Sequence, residues 1–459
     1  MAVPETLAPA ADAVTPSPVA PSSARPGARA WFVLGMLCFV YVLNFLDRQL
    51  LSILAKPIQD DLKVTDGQLG LISGLYFALF YCFISIPVAW LADRTNRVRV
   101  LSIACALWSA ATVACGMAST YPQLVLARMT VGVGEAGGVP PSYAIISDYF
   151  GPGRRGTALG LYNFGPPLGQ ALGVAFGAAI AAAYNWRSAF QLLGAVGVVT
   201  AVAVYLLVRE PRRGGLDAGP VIAGPVTAGP VTGGPATLAA KAGFWETVRM
   251  FFTCPALLLV ALATGATQFV TYALLNFTTL FLMREKGMAL GEVAIYYALL
   301  IGIGVSAGMY VSGRLIDRFA VRARHSYALV PAVALCAAVP FFVGFVWAPS
   351  WPLALLFLAG PTFFNYFYLS PAVALVQEEV RPDQRVLSGA LLLLVMNLIG
   401  LGFGPTYLGA VSDLFRATHP DHSLQLAFYT LVPFYGLAVL LFLALARVLR
   451  KDGPRTGDR

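Results

Sequence analysis

Charge is scarce in this chain. Only 12% of its residues are Asp, Glu, Lys or Arg, 58% are hydrophobic, and the mean hydropathy is +0.73. A soluble domain carries about 25% charged residues, so the composition describes a polytopic membrane protein. Histidine is rarer still, with 3 in all (His325, His419 and His422), each outside the apolar runs. No Ser/His/Asp order, phosphate-binding glycine loop or metal-ligand cluster is present. No enzyme, cofactor or metal site is therefore expected, and without a nucleotide-binding domain the energy for any transport must come from a gradient. The 6 cysteines (Cys38, Cys82, Cys105, Cys115, Cys254 and Cys336) show neither ligand nor disulfide spacing and fall in or beside apolar runs, as small hydrophobes do. Residues 1–29 are rich in Ala, Pro and Ser and lack a basic start followed by an apolar core. They are expected to be a disordered cytoplasmic tail, not a secretory signal.

What the chain has in abundance is long apolar runs. Six follow the tail, at roughly 31–55, 68–91, 99–118, 122–146, 156–183 and 188–208. Residues 209–245 then interrupt them with Ala218-Gly-Pro-Val, Ala223-Gly-Pro-Val, Ala228-Gly-Pro-Val and Gly233-Gly-Pro, a Gly/Pro-rich cytoplasmic linker with no core to bury. Six more runs lie at roughly 253–283, 291–313, 326–347, 352–377, 386–411 and 424–448. About 20 apolar residues cross a bilayer as a helix. The expected fold is an all-α membrane protein of twelve transmembrane helices in two six-helix bundles, 30–208 and 246–450, with a second short cytoplasmic tail at 451–459.

The net charge of +9 has a topological explanation. With both termini inside, Lys56, Lys63, Arg187, Arg284, Lys286 and Arg416 are the only Lys and Arg on the far side, and Arg48 and Arg128 lie within spans. The other 23 of the 31 fall on the side of the termini. That bias is the positive-inside rule with cytoplasmic termini, and it removes the case for a nucleic-acid partner.

The halves repeat one another. Leu91-Ala-Asp93-Arg94 with Arg97 and Arg99 follows the second span, and Leu315-Ile-Asp317-Arg318 with Arg322 and Arg324 follows the eighth. A duplicated six-helix unit is a transporter architecture, with substrate held near the midplane between halves that rock about it.

Within this apolar frame a few charges stand out. Asp47 and Arg48 are adjacent, well inside the first span. Each costs at least about 2.5–3.5 kcal/mol in hydrocarbon, so both should face a bundle interior or a wet cavity. The fourth span holds Arg128-Met-Thr-Val-Gly132-Val-Gly134-Glu135-Ala136, with its two charges seven residues apart and so on one helix face. Counted from the outer end, Arg128 lies about 9 Å deep, Glu135 about 20 Å and Asp47 about 12 Å, so the four charges overlap in depth. Two acids with two arginines are neutral together. Pro140-Pro141 should kink or end the fourth helix, and the double proline in Gly165-Pro166-Pro167 should bend the fifth. The second half has no such charge. Its polar intrusions are Gln268, Tyr272, Asn276, Asn365, Tyr366, Tyr368 and Asn397 among Phe and Leu, giving a cavity with charges on one wall and aromatics on the other.

The segment around Asp93 resembles the cytoplasmic loop motif of the major facilitator superfamily, with Ala89 where that family usually has glycine. Asn44-Phe-Leu-Asp47-Arg48, Ala92-Asp-Arg94-Thr-Asn96-Arg97 and Arg128-x-x-x-Gly132-x-Gly134-Glu135-Ala136 together resemble the Spinster branch, in a bacterial member, over residues 31–450. Gly160-Leu-Tyr162-Asn163-Phe-Gly165-Pro166 resembles the superfamily's Gly-Pro motif. The resemblance implies the major facilitator fold and a secondary active, proton-coupled carrier of lysophospholipid or sphingosine-1-phosphate-like amphiphiles in the inner membrane. It implies proton coupling at Asp47 and Glu135 and a head-group contact at Arg48. Arg128, Tyr76, Tyr162, Asn276, Tyr366 and Tyr368 are the further candidates for the substrate wall. Asp93, Arg94, Arg97, Asp317 and Arg318 are the candidates for gating, as a latch on the cytoplasmic side. The expected partners are a lipid substrate and protons, and the expected state is a monomer. A carrier of polar organic anions or sugars is the alternative, and a non-transporting receptor a further one.

Overall fold

The structure, a computed structural model, describes residues 27–212, 243–319, 323–381 and 384–451. Among these all regular structure is helical. Eleven segments are long and apolar enough to cross a membrane. A twelfth, the fourth in order, is cut into two shorter helices. The tail expected at 1–29 and the repeats of the linker lie outside the described residues, except at their edges.

The first half runs α1 (Ala28–Ile53), with a short continuation α2 (Ala55–Leu62), then α3 (Asp66–Ser73) and α4 (Leu75–Arg94) as the second pass. The third pass is α5 (Arg97–Met117), the fourth α6 (Tyr121–Glu135) and α7 (Val139–Tyr149), the fifth α8 (Pro152–Tyr162) and α9 (Gly165–Ala183), and the sixth α10 (Trp186–Leu207). A run-in helix, α11 (Phe244–Thr253), crosses the expected linker boundary at 245 and precedes α12 (Pro255–Arg284), the seventh pass. The eighth is α13 (Leu290–Glu292), a π-helical turn (Val293–Tyr297) and α14 (Ala298–Phe319), and the ninth α15 (Ser326–Trp347). The tenth is α16 (Trp351–Phe364) and α17 (Leu369–Glu379). The eleventh is α18 (Arg385–Asn397), a π-helical stretch (Leu398–Phe403) and α19 (Gly404–Arg416), and the twelfth α20 (Ser423–Tyr429) and α21 (Val432–Lys451).

The helix breaks follow from proline and glycine. The fourth pass stops at Glu135 and restarts at Val139 with proline in its first turn, where a missing N–H costs nothing. The fifth restarts in the same way at Gly165-Pro166-Pro167. Its counterpart in the other half is Phe403-Gly404-Pro405, where α19 begins after the π-helical stretch. Phe-Gly-Pro thus marks one break in both halves.

The two halves are joined at the end of the bundle remote from the termini. Asp66, with no exposed surface, takes a two-pronged ion pair from Arg284 of the other half, Nη1 to Oδ1 at 2.9 Å and Nη2 to Oδ2 at 2.8 Å. Ser412 donates to the same carboxylate at 2.6 Å. In return the Asp413 carboxylate accepts the Asp66 and Gly67 N–H groups at 3.0 and 2.8 Å, filling valences that the start of α3 leaves open. Ser52 donates to the carbonyls of Leu275 and Asn276 at 2.9 and 2.8 Å. Glycine lets the backbones meet here. A Cβ on Gly70 would lie 2.4 Å from the Pro405 carbonyl oxygen, and one on Gly409 2.3 Å from that of Asp66. This end is sealed.

Candidate functional site

Asp47 and Arg48 are neighbours in sequence, so their side chains leave α1 about 100° apart and need different partners. Asp47 turns into the first half. Its Oδ2 accepts from Arg128 Nη1 at 2.9 Å and its Oδ1 from the Thr112 hydroxyl at 2.9 Å. Asp47 and Arg128 are each 2% exposed. Arg48 turns toward the space between the halves. Its Nε donates to Glu135 Oε2 at 2.6 Å, and its side chain keeps 12% exposure against none for the glutamate. The four charges meet as two crossed ion pairs, which answers the cost of putting any one of them in the membrane.

Close packing holds the acid in place. The fourth pass approaches the second and third through glycine, since a Cβ on Gly132 would be 2.9 Å from the Phe77 carbonyl oxygen and one on Gly134 2.6 Å from the Trp108 nitrogen. Glu135 then stands in the last turn of α6, at the break. Its second oxygen, Oε1, is buried without a hydrogen-bond partner, as is Arg128 Nε.

Arg48 is set in aromatic rings, with its guanidinium carbon 4.6 Å from the centre of Tyr81, 5.0 Å from Phe45 and 5.1 Å from Phe77. The negative ring faces stabilise a cation that has lost water, by about 2 kcal/mol when desolvated. From the other half Tyr272 stands beside the same guanidinium. Tyr41, Phe45 and Arg48 recur at helical spacing and are the half-buried face of that stretch of α1. Ser52, in the seal, is four residues or about 6 Å further along. Arg48 therefore lies one turn from the closed end, on a wall that continues as aromatic surface toward the termini.

Other candidates take varied places. Tyr162 is buried in a stack under Tyr41, ring centres 4.4 Å apart, with Tyr143 edge-on at 5.4 Å. Tyr76 neighbours Tyr121, and it is Tyr81 whose ring meets Arg48. Asn276 bonds back to the Tyr272 carbonyl at 2.9 Å. Tyr366 and Tyr368 lie in the turn between α16 and α17, with Tyr272 close to both. Arg97 is buried and tied to Asp148 of α7 at 2.6 Å and to Glu210, just past the end of α10 in the expected linker, at 2.7 Å. Arg94 lies over Trp90 at 3.9 Å, and Asp317 and Arg318 are exposed. The side chain of Asp93 is outside the described residues. Phe45, Phe77 and Tyr81 carry no signal of their own in the sequence beyond the helical spacing of 77 and 81.

A twelve-pass bundle in two repeated halves, sealed at one end, with paired charges inside the first half and one arginine facing the seam, is the architecture of a secondary transporter. The family model described as Major Facilitator Superfamily matches residues 37–405, and the chain belongs to that superfamily. It is 34% identical over 426 residues to an MFS-type efflux pump of Mycolicibacterium smegmatis, covering 92% of this chain and 94% of that one. It is also homologous to the spinster proteins, with 26% identity to human protein spinster homolog 1 over 427 residues, 87% of this chain and 76% of the relative. Its fold matches the crystal structure of a bacterial homologue of the human lysosomal transporter spinster in an inward-facing, unoccupied conformation. The TM-score is 0.82 at 29% identity, over 94% of this chain and all (100%) of that one.

Proposed function

We propose that this transporter is a proton-coupled carrier of anionic amphiphiles of the lysophospholipid or sphingosine-1-phosphate type, working by alternating access. The observation that carries the proposal is Arg48. It gives only Nε to Glu135, keeps an exposed edge on the seam, and heads an aromatic stripe through Phe45 and Tyr41. A guanidinium suits a phosphate, and the stripe suits an apolar chain. Protonation of Glu135 breaks its pair with Arg48 and frees the cation for a head group; release of the proton reforms the pair and expels the ligand. Asp47 and Arg128, sealed by Thr112, hold α1 against α6 and pass the change at Glu135 between the two pairs.

The loop charge bias assigns the termini to the cytoplasm, and the likeness to a bacterial spinster homologue assigns the chain to a bacterial inner membrane, so the sealed end faces outward. Asp93 with Arg94 and Arg97, and Asp317 with Arg318, act as latches at the opposite end when the cycle reverses. A carrier of small polar organic anions is the second reading, favoured by the uncharged amides and phenols of the second half. A thermal-stability panel on the purified protein separates the two. Lysophosphatidate should raise the melting temperature in the wild type and fail to do so in Arg48→Ala, while sugars and simple carboxylates leave both unchanged. Stabilisation by sugar acids alone would replace the first reading with the second.

A further inference from the structure

Two buried amides, Gln170 of the first half and Gln268 of the second, each carry an oxygen, Oε1, without a hydrogen-bond partner. Gln170 on α9 is 6% exposed and Gln268 on α12 is 7%. An unsatisfied buried acceptor costs about 1–3 kcal/mol, so a fold retains one where something else will fill it. Each amide is next to a phenol from the break in the tenth pass, Gln170 beside Tyr366 and Gln268 beside Tyr368. The two tyrosines are neighbours of each other and of Tyr272, which stands against Arg48. Tyr366 also borders a void against Thr278 and Tyr297 with room for about one water.

The pairing has a definite chemistry. An amide oxygen accepts a hydrogen bond and a phenol donates one, so the pair matches a ligand hydroxyl, which must do both. No charged side chain is among these four groups, so they do not select an ion. Their place in the repeat is also telling. The fourth pass breaks just after Glu135, and its counterpart, the tenth, breaks at Asn365–Tyr368. The first half puts a carboxylate at its break where the second puts phenols.

We infer that Gln170–Tyr366 and Gln268–Tyr368 form a hydroxyl-recognition site that works with Arg48, so that the ligand carries an anionic group and one or more free hydroxyls. This rests on the transport reading above and adds a selectivity that Arg48 alone does not supply. A lysolipid head group and a sugar acid share this chemistry, and the test has an arm for each.

Binding to the full-length purified chain is measured for oleoyl lysophosphatidate and its 2-deoxy analogue, which differ by one hydroxyl. The wild type should prefer the hydroxylated probe by about tenfold, the worth of one well-made hydrogen bond to a buried polar group. Gln170→Leu and Tyr366→Phe should bind both probes as the wild type binds the deoxy one, and that retained binding shows the variants to be folded. A preference that survives in these variants and in Gln268→Leu and Tyr368→Phe overturns the site, as does equal weakening of both probes. Wild type that binds neither lysolipid overturns the lipid reading. Glucuronate and 2-deoxyglucuronate then take the same comparison, and tenfold discrimination lost in the variants supports the site. Binding of none of the four overturns both.

Discussion

Replacing Arg284 by alanine should open the sealed end. The arginine makes both prongs of the pair with Asp66, whose carboxylate is wholly enclosed. Removing one partner of a buried pair costs about 3–5 kcal/mol, because the remaining charge is left in a poor solvent. Here Ser412 and Gln59 still donate to Asp66, which places the cost at the lower end of that range. The penalty falls on the sealed state alone, since a parted interface lets water reach Asp66. At about 1.4 kcal/mol per factor of ten, the balance between sealed and open forms should move roughly a hundredfold, enough to take a 99:1 mixture to near parity. Arg284→Lys keeps the charge and loses the fork, so its shift should be smaller. Spin labels at Asp60→Cys and Thr418→Cys, on opposite halves at this end in a background without native cysteines, report the separation by double electron–electron resonance. A new, longer distance in Arg284→Ala is the expected result. An unchanged distribution in well-folded protein would refute the claim that this pair holds the end shut.

The same labels test the backbone contact. Gly70→Ala sets a methyl 2.4 Å from the Pro405 carbonyl oxygen and must part the second and eleventh passes, while Gly35→Ala, with nothing within 4 Å, should leave the distances alone. At the same end the hydrogen bond from Arg187, helped by Trp186, holds the exposed Asp61 carboxyl below its ordinary range. Its folded pKa is depressed, so the tie is complete above the unfolded value and is lost as pH falls through the folded one. Thermal scans should show a small loss of stability in acid that Asp61→Asn does not share.

Much of this architecture was legible from hydropathy alone, because apolar length and the Asp-Arg repeat are local signals. The meeting of Asp47, Arg48, Arg128 and Glu135 was legible too, since four charges of balanced sign at overlapping depth have few other places to go. Which acid takes which arginine was not, since that depends on how α1 and α6 are rotated about their axes. The seal was invisible for a related reason. Asp66, Arg284, Ser412 and Asp413 sit at span edges, where charge is ordinary, and are 218 or more residues apart between the halves. Tyr81 and not Tyr76 lies beside Arg48 because the two are five residues apart on α4, about 140° around it, and Tyr81 shares a face with Phe77. The run-in helix α11 was hidden by the Gly/Pro repeats before it and the apolar seventh pass after it.

Coupling at Glu135 is the centre of the account, and flux in proteoliposomes tests it directly. Lysophosphatidate uptake is followed with and without an imposed proton gradient, in the wild type and in Glu135→Gln, which keeps the shape and loses the titration. The wild type should respond to the gradient, whereas Glu135→Gln should exchange ligand at equilibrium and ignore the gradient. A gradient response that persists in Glu135→Gln would contradict the account.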